Sequence, residues 1–490
     1  MGLILHIFII QLSFTMITVI NSNLISDTPL RDNVNDKEKL FEVHELFNRT
    51  RRTVVTTKKE HLWNGAIIPY VIEDIFTGLQ HRLIKQAMRI WEESTCITFV
   101  ERIPNIHSKY ITITKLNCGC CFLLKPSVRN GGFLSLINSC DKLPIVLHEL
   151  GHVIGFEHEH NRPDRDDYLE IINENIMKGY EDEFKKQSPH EVETFNQTYD
   201  YHSVMHYPSD SFSISWPFET LIPKQGMQNE VQFMGAQIKL SEGDIATTNL
   251  LYNCPKCGET FYKPTGSFYF SMNSTRLLMK PTHCEWRIRA AQGERVELVI
   301  TSLSIYETPK CAVDYLEIRN GYSYNNSVLA RYCGDVNVAT LTASNILSVA
   351  YVKMSQNISN SGFKAYYRTI CGGTVNIKTN TPYKIESTNY PDAYPPNQRC
   401  SWHFTAPDNH RIALRVHFFE LEMSDNCMND FLMIKAGTEY SSPIIRLECG
   451  SQDSWQVNST GPELSVIFSS DKLIEYAGFS ATLYAIPLNN

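Results

Sequence analysis

The chain has 490 residues, more than one hydrophobic core usually serves, so two to four domains are expected. Its composition, 42% hydrophobic and 20% charged residues, is ordinary for globular protein and argues against global disorder and against a coiled coil. The net charge of −8 argues against generic nucleic-acid binding, which needs clustered Lys and Arg side chains to contact phosphates.

The first residues have the composition of a secretory signal peptide. Residues 2–20 are almost wholly apolar, and Asn21 and Ser22 follow where a signal peptidase could cut. No Lys or Arg precedes the run, and its length leaves an uncleaved membrane anchor as the alternative. A signal peptide over residues 1–22 is preferred because Gln11 and several Ser and Thr residues dilute the run. No later segment is apolar enough to cross a membrane.

Cysteine and glycosylation patterns also indicate a secreted, extracellular protein. The chain has 14 cysteines, an even number, most of them in pairs with similar spacing. Together with several Asn-X-Ser/Thr acceptors, they favour an oxidising secretory compartment. The acceptors are Asn48, Asn196, Asn273, Asn325, Asn357 and Asn458.

A polar leader follows the apolar run. Residues 23–52 show no periodicity and end in a basic cluster, Arg49-Thr-Arg-Arg52. The cluster predicts cleavage by a basic-specific proprotein convertase, which would make the leader a propeptide and start the mature chain at Thr53. The alternative is a solvated charge run. Processing is preferred because the cluster separates a featureless leader from an apolar segment that begins near Trp63.

The next segment, up to Cys254, alternates strand-like and helix-like patterns. Residues 67–72 and 110–114 are predicted strands. Residues 83–91 have the spacing of a helix with one buried face. The sequence that starts at Ser241 resembles a capping box and predicts a last helix that ends near Tyr252.

One eleven-residue segment of this region predicts a zinc site. On a helix, His148 and His152 lie on one face, close enough to share an ion. Glu149 lies beside the first ligand, where it can reach a reacting water. Gly155 can adopt a positive φ, which lets the chain turn back and supply His158 as a third nitrogen. Three protein ligands leave a coordination position open, as in catalytic zinc sites. A chance match is on the order of one in 10⁵.

Beyond Cys254 a unit of about 115 residues occurs twice. Each copy has four cysteines, and the last two are 22 residues apart in both. Residues 314–318 of the first copy match residues 430–434 of the second. Both copies consist of short β-like runs with turn residues between them, so two β-sandwiches are expected.

The zinc motif, together with residues 159–166, resembles the signature of the astacin family of metzincin peptidases, and residues 203–207 resemble that family's Met-turn. The resemblance implies a zinc endopeptidase in which Met205 packs beneath the zinc ligands. It also implies that the Tyr207 hydroxyl binds the metal at rest and then stabilises the reacting oxyanion. Glu149 is the general base and acid of that mechanism. Taken alone, Met205 and Tyr207 would more often be core residues.

The family resemblance also implies a mode of activation. The new amino terminus is buried there and pairs with the Glu after the third histidine, here Glu159; a surface position for Glu159 is the alternative. The family's leader carries Phe-Glu-Gly-Asp, whose Asp blocks the zinc. Residues 41–45 read Phe-Glu-Val-His-Glu instead, so His44 or Glu45 would be the blocking ligand.

Three cysteines near residue 120 and the segment Cys140-Asp-Lys142 resemble the tolloid and procollagen C-proteinase branch. By that resemblance, Lys142 lies at the pocket for the residue after the cut and favours Asp there, although a lone Lys is usually solvated. Residues 122–125 depart from the branch, so the cleft edge is expected to differ. Spacing alone leaves the disulfide connectivity open. The resemblance implies the bridges Cys96–Cys254, Cys118–Cys140 and a vicinal Cys120–Cys121.

The two repeats resemble CUB domains, many of which bind calcium through a Glu, an Asp eight residues later and an Asp before Gly-Phe. The second repeat has all three, Glu422, Asp430 and Asp471, whose oxygens suit Ca²⁺. The first keeps only Asp314, with Tyr306 and Ser355 at the outer positions, so calcium is predicted for the second repeat alone; solvated acidic loops are the alternative. The implied bridges are Cys257–Cys284, Cys311–Cys333, Cys371–Cys400 and Cys427–Cys449.

Together these features predict an α+β metzincin catalytic domain followed by two all-β CUB sandwiches. The expected spans are 1–22 for the signal peptide, 23–52 for the propeptide, 53–254 for the peptidase, and 257–368 and 371–485 for the two CUB domains. The predicted function is a secreted zinc metalloendopeptidase that cleaves matrix or morphogen-regulating proteins, with procollagen- and chordin-like substrates implied by the family. The alternatives are an extracellular protein that binds through its CUB pair, and an astacin with a digestive or hatching role. The intact zinc motif argues against the first, and the CUB pair with Cys120-Cys121 argues against the second.

Overall fold

A computed structural model describes residues 55–56, 61–124, 131–235, 237–271, 281–322, 325–336, 338–356 and 362–488. Several predictions lie outside these residues. They concern the signal peptide over 1–22, the propeptide over 23–52, the latency residues His44 and Glu45, the cleavage residues Arg52 and Thr53, and the acceptors Asn48, Asn273 and Asn357. Within the described ranges, no helix is long and apolar enough to cross a membrane.

Among its described residues, the amino-terminal domain combines one five-stranded sheet with three α-helices. The sheet order is β2-β1-β3-β5-β4; β4 alone runs antiparallel to its neighbour. A two-stranded ribbon, β6 with β7, follows. The strands are β1 (Ile67–Ile72), β2 (Thr98–Glu101), β3 (Tyr110–Thr114), β4 (Cys121–Leu124), β5 (Gly131–Ser135), β6 (Leu169–Ile171) and β7 (Leu221–Pro223). The helices are α1 (Gly78–Ser94), α2 (Leu143–Ile154) and α3 (Glu242–Leu251).

The elements predicted for this domain are present. The strands predicted at 67–72 and 110–114 coincide with β1 and β3, and the helix predicted at 83–91 lies within α1. A capping box at Thr77 starts α1 at Gly78, five residues earlier than the apolar pattern indicated. The predicted capping box at Ser241 starts α3, which is capped at Tyr252.

Helices α1 and α2 pack together through a large aromatic side chain. Ile84, Ala87 and Trp91 recur at helical spacing and are all buried, so one face of α1 faces the core. The Trp91 indole nitrogen donates a hydrogen bond to the Leu147 carbonyl of α2 at 3.2 Å. This contact fixes α2, the helix that carries the zinc motif, against the scaffold.

Two all-β sandwiches follow, as predicted. The first sandwich has sheets of order β13-β12-β15-β10-β8 and β14-β11-β16-β9. Trp286 and Tyr351 are buried between the sheets. Its strands are β8 (Thr260–Phe261), β9 (Thr265–Ser271), β10 (Thr282–Arg289), β11 (Arg295–Ser304), β12 (Tyr315–Asn320), β13 (Val328–Tyr332), β14 (Leu341–Ala343), β15 (Ile346–Lys353) and β16 (Gly362–Ile370).

The second sandwich repeats this architecture. Its sheets have the orders β17-β19-β25-β21-β22 and β18-β26-β20-β23, with β24 also paired to β20. Trp402 and Phe479 are buried in its core. Its strands are β17 (Gly373–Asn376), β18 (Tyr383–Glu386), β19 (Arg399–Thr405), β20 (His410–Glu420), β21 (Phe431–Lys435), β22 (Ile444–Glu448), β23 (Ser451–Gln452), β24 (Trp455–Asn458), β25 (Glu463–Ser469) and β26 (Gly478–Pro487).

Both sandwiches contact α1 through buried charged side chains. Arg89 forms an ion pair at 2.5 Å with Asp392 of the second sandwich. One turn further along, Glu92 is 4% exposed. Its carboxylate accepts a hydrogen bond at 2.5 Å from the Tyr262 hydroxyl and pairs with Arg289, both from the first sandwich region. Helix α1 therefore buries one face in its own domain and a second against the sandwiches.

Seven disulfides are present among the described residues, and two differ from expectation. Cys118 pairs with Cys121, and Cys120 pairs with Cys140, in place of the expected Cys118–Cys140 and Cys120–Cys121. Successive residues entering a strand point to opposite sides, and Cys121 begins β4, so Cys120 faces the segment before α2. The Cα atoms of Cys120 and Cys140 are 5.8 Å apart, within normal disulfide range. The pairs that match expectation are Cys96–Cys254, Cys257–Cys284, Cys311–Cys333, Cys371–Cys400 and Cys427–Cys449.

Candidate active site

Three imidazoles converge at the carboxyl end of α2. His148 and His152 lie one turn apart on the helix. Gly155 caps the helix with φ of 120°, and this turn brings back His158. The Nε2 atom of His158 lies 3.2 Å from Nε2 of His148 and 3.2 Å from Nε2 of His152. The spacing predicted from the sequence therefore places three nitrogens around one point.

The outer nitrogens of two of these rings have hydrogen-bond partners that orient them. Nδ1 of His148 lies 2.8 Å from the Val204 carbonyl, and Nδ1 of His152 lies 2.9 Å from the Phe156 carbonyl. Since a carbonyl only accepts, each Nδ1 carries the proton and each Nε2 presents a lone pair. Burial lowers the pKa of both His148 and His158, which favours the neutral rings.

This donor set fits a zinc ion. Ligand nitrogens at about 2.0 Å from a tetrahedral zinc are about 3.3 Å apart, close to the observed 3.2 Å. Neutral imidazole is a preferred ligand of zinc. Lone pairs that face one another at this distance repel unless a cation lies between them.

Met205 packs beneath the zinc helix, as the resemblance implied. Its side chain is fully buried, and its sulfur lies against Gly151, between His148 and His152. Asp244, in the first turn of α3, holds the Met-turn from below. It accepts a hydrogen bond at 2.6 Å from the Ser203 hydroxyl and one at 3.0 Å from the Val204 amide. Asp244 thereby positions the carbonyl that orients the first ligand.

Substitution of Gly151 by Ala is expected to destabilise this packing. An added Cβ would lie 2.4 Å from the Met205 sulfur, and overpacking of a buried site costs about 1–3 kcal/mol. The helix preference for Ala recovers up to about 1 kcal/mol. We therefore expect a lower unfolding temperature and weaker zinc retention. Gly461→Ala is the matched control, since nothing lies within 4 Å of the Cβ it adds. Equal stability of both variants would contradict the packing role.

Glu149, the carboxylate expected to act as the general base, is a buried residue of α2. Glu149 is 6% exposed and directly follows the first zinc ligand on α2. A step of one residue turns a helical side chain by about 100°, so Glu149 lies beside the face that carries His148 and His152.

Tyr207 lies against the zinc ligands. Its ring centroid is 4.4 Å from that of His158, 4.1 Å from that of His160 and 5.7 Å from that of Phe212. His160 is fully buried, and its Nε2 donates a hydrogen bond at 3.1 Å to the Glu183 carbonyl. Neither His160 nor Phe212 was assigned a role from the sequence. His160 lies within the signature, but its stacking on Tyr207 depends on a contact 47 residues away along the chain.

Glu159 is buried, not on the surface. It accepts a hydrogen bond at 3.1 Å from Arg162 and one at 3.0 Å from the Asp200 amide. Burial raises its pKa to about 8, although Arg162 opposes that shift. The earliest described residue, Val55, is also buried and pairs with Phe156, next to the carboxyl end of α2. The pairing of Glu159 with a new amino terminus stays a prediction.

Lys142 lies at the opposite end of the zinc helix. It is exposed and is the N-cap residue of α2. Six residues separate it from His148, which corresponds to about 9 Å along a helix. The structure therefore leaves its charge free to face solvent or a ligand at the start of the helix.

The second sandwich contains a cluster of three carboxylates. One oxygen each of Glu422, Asp430 and Asp471 lies within 4.8 Å of the other two. Burial raises the pKa of Asp430. The buried Oε2 of Glu422 has no hydrogen-bond partner among the residues that the structure describes. Converging carboxylate oxygens with an unsatisfied buried member fit a hard cation such as Ca²⁺.

In the first sandwich, the carboxylate at the corresponding position, Asp314, already accepts hydrogen bonds from the protein. Asp314 accepts from the Met354 and Ser355 amides, at 2.9 Å each, and from the Ser355 hydroxyl. Tyr306 is 44% exposed and supplies no carboxylate. This is a physical reason for the prediction of calcium in the second sandwich alone.

Comparison with known proteins identifies the families of the three domains. Residues 55–253 match the family model for the astacin peptidases, and residues 257–367 and 371–483 each match the CUB domain model. Human Tolloid-like protein 1 is 39% identical over 437 residues, 89% of this chain and 42% of that protein. The Drosophila melanogaster Dorsal-ventral patterning protein tolloid is 39% identical over 459 residues, 88% of this chain and 43% of that protein.

The chain therefore spans less than half the length of these two relatives. The Bone morphogenetic protein 1 homolog of Strongylocentrotus purpuratus is 37% identical over 433 residues, 88% of this chain and 67% of that protein. The identity to these relatives extends over 88–89% of the chain. The chain belongs to the astacin family of peptidases and carries two CUB domains after its astacin domain.

Proposed function

We propose that the chain is a secreted zinc metalloendopeptidase that cleaves extracellular proteins. The convergence of His148, His152 and His158, with Glu149 beside them, is the observation that carries the proposal. The three imidazoles would hold the zinc ion. When bound, zinc supplies a Lewis acid that lowers the pKa of water and polarises a carbonyl.

The residues around this centre have separate roles in peptide hydrolysis. Glu149 takes a proton from the attacking water and delivers it to the departing amine nitrogen. The Tyr207 hydroxyl donates a hydrogen bond to the oxygen on which negative charge develops. The rings of His158 and His160 hold the Tyr207 ring, which limits the reorganisation that this step requires.

The proposed substrates are extracellular matrix proteins or proteins that regulate morphogens. The relatives that suggest them include a dorsal-ventral patterning protein and a bone morphogenetic protein homolog. Procollagen- and chordin-like proteins are the first substrates to test. The processed protein is incubated with secreted matrix proteins, and the new amino termini are sequenced. Defined new termini that disappear in a Glu149→Gln variant support the proposal. Tight binding without any new terminus would favour the CUB-mediated binding protein.

Secretion and activation form part of the same proposal. Three glycosylation acceptors, Asn196, Asn325 and Asn458, are exposed, as attachment of a glycan requires. Cleavage after Arg52 by a basic-specific convertase would release Thr53 two residues before Val55, which lies buried beside the zinc helix. The new amino group would then be close enough to compete for Glu159.

Cleavage before Asp is the proposed preference, and Lys142 is the residue that would set it. Two peptides that differ only in Asp or Leu after the cut should differ in kcat/KM in favour of Asp. Lys142→Ala should reduce this preference about five- to tenfold, because one cation facing one carboxylate contributes about 1 kcal/mol or more. Lys178→Ala, an exposed Lys elsewhere in the domain, should leave the preference unchanged. Equal kcat/KM for both peptides would reject the assignment.

Calcium is the proposed ligand of the carboxylate cluster in the second CUB domain. Asp471→Ala should weaken calcium binding to the full chain by at least about tenfold, since it removes one of three charged oxygen ligands. Isothermal calorimetry measures the effect. Asp425→Ala, an exposed carboxylate near the cluster, and Asp314→Ala in the first CUB domain are the controls. Unaltered affinity in Asp471→Ala would contradict the site.

A further inference from the structure

A loop beside the active site exposes three large apolar side chains. In the aromatic loop, defined here as residues 213–218, Ile214 is 52% exposed, Trp216 83% and Phe218 48%. Single exposed apolar residues are normal on protein surfaces, but three within five positions are typical of a binding surface. No charged residue occurs between residues 211 and 218, so the loop is suited to an apolar ligand.

The backbone of the aromatic loop is anchored on both sides. At its start, the Ile214 amide donates a hydrogen bond at 2.9 Å to the Asn175 carbonyl. At its end, the Asn175 side-chain amide donates at 2.7 Å to the Glu219 carbonyl. The Thr220 amide donates at 2.7 Å to the Ser209 carbonyl. The side chains are therefore presented from a fixed backbone, and a partner would lose little entropy in ordering them.

The aromatic loop is continuous with the active site. Phe212, the residue before it, is buried, and its ring centroid lies 5.7 Å from that of Tyr207. Tyr207 in turn contacts the zinc ligand His158. Trp216 follows four residues later. An extended polypeptide advances about 3.3 Å per residue, so a chain that crosses the three imidazoles reaches this loop within a few residues.

We propose that the aromatic loop is a lip of the substrate cleft, and that it binds an apolar side chain of the substrate polypeptide a few residues from the scissile bond. The proposal rests on the proposed peptidase function and adds a specificity determinant to it. The substrate chain is the chosen occupant because the loop begins at a ring in contact with Tyr207.

The test uses pairs of peptides with the same sequence around the cut. In each pair, one position within six residues of the cut is Leu in one peptide and Ser in the other. The unaltered protein should prefer Leu at one such position. Trp216→Ala should lower kcat/KM for that Leu peptide about tenfold, mainly through KM, and leave its Ser partner nearly unchanged. Tyr440→Ala, 99% exposed on the second CUB domain, is the control and should alter neither.

The outcomes separate this proposal from the peptidase proposal. Hydrolysis of both peptides with no dependence on Trp216, or an equal loss for both, overturns the lip and leaves the peptidase standing. A dimer in sedimentation that Trp216→Ala dissociates, with unchanged kcat/KM, identifies a second copy as the occupant and also overturns the lip. If the unaltered protein hydrolyses no peptide, both proposals fall together. The unfolding temperature of Trp216→Ala should match that of the unaltered protein, because the side chain is exposed.

Discussion

Glu149→Gln should lower kcat/KM by at least about two orders of magnitude while the protein keeps its zinc. Gln has nearly the same shape as Glu but cannot take a proton from the attacking water at neutral pH. Residue 149 lies on α2 beside the face that carries His148 and His152, so the substitution should not disturb the three zinc-binding nitrogens. Steady-state hydrolysis of a peptide and metal content measured on the same sample check both parts of the prediction.

Glu149→Asp separates loss of the carboxylate from loss of its position. A shorter carboxylate still accepts a proton, so this variant should retain more activity than Glu149→Gln. The unfolding temperatures of both variants should stay close to that of the unaltered protein, since neither changes the buried volume greatly. Near-normal turnover by Glu149→Gln would refute the proton-transfer role.

Removal of zinc should abolish hydrolysis completely, and addition of zinc should restore it. One ring nitrogen from each of the three half-buried histidines lies within 4.8 Å of the other two, and without a cation the lone pairs of these nitrogens face one another. A ligand that binds only the folded state stabilises it by about 2.7 kcal/mol at one hundred times its dissociation constant. The chelated protein should therefore also unfold at a lower temperature.

The control for the chelation experiment is to add back calcium in place of zinc. Calcium alone should not restore hydrolysis, because calcium prefers oxygen ligands, whereas it should still bind the cluster around Asp471. His152→Ala should behave like the chelated protein even with zinc in excess. If the metal-free protein hydrolysed the peptide as fast as the zinc-loaded protein, the catalytic zinc role of the three imidazoles would be rejected.

The zinc ligands could be predicted from the sequence because they depend on local geometry. His148 and His152 share a helical face, and Gly155 reverses the chain within three residues of His158. The two β-sandwiches were likewise predictable. The short β-like runs and the turn residues between them are local features of the sequence, and the spacing of the last two cysteines is the same in both repeats. Such features need no knowledge of which distant segments meet.

The features that could not be predicted from the sequence all depend on distant contacts. Asp244 was visible only as a capping residue, and its hydrogen bonds to Ser203 and Val204 cross about 40 residues. The partners that the family resemblance implied for Cys118 and Cys120 were wrong, and spacing alone left the connectivity open. Strand β4 then decides which way each sulfur points. The contact between Gly151 and Met205 also depends on tertiary packing.

The double use of α1 restricts how this protein could be rebuilt. Arg89 and Glu92 have their charges compensated by groups from different sandwiches, so a peptidase domain produced alone would present these two side chains to water without those partners. A chimera that joins this peptidase to foreign CUB domains would lose the same pairings. In such a chimera, the residues of α1 that face the sandwiches would have to be taken from the protein that supplies the CUB domains. Helix α1 therefore belongs to the peptidase domain by sequence and to the CUB domains by its contacts.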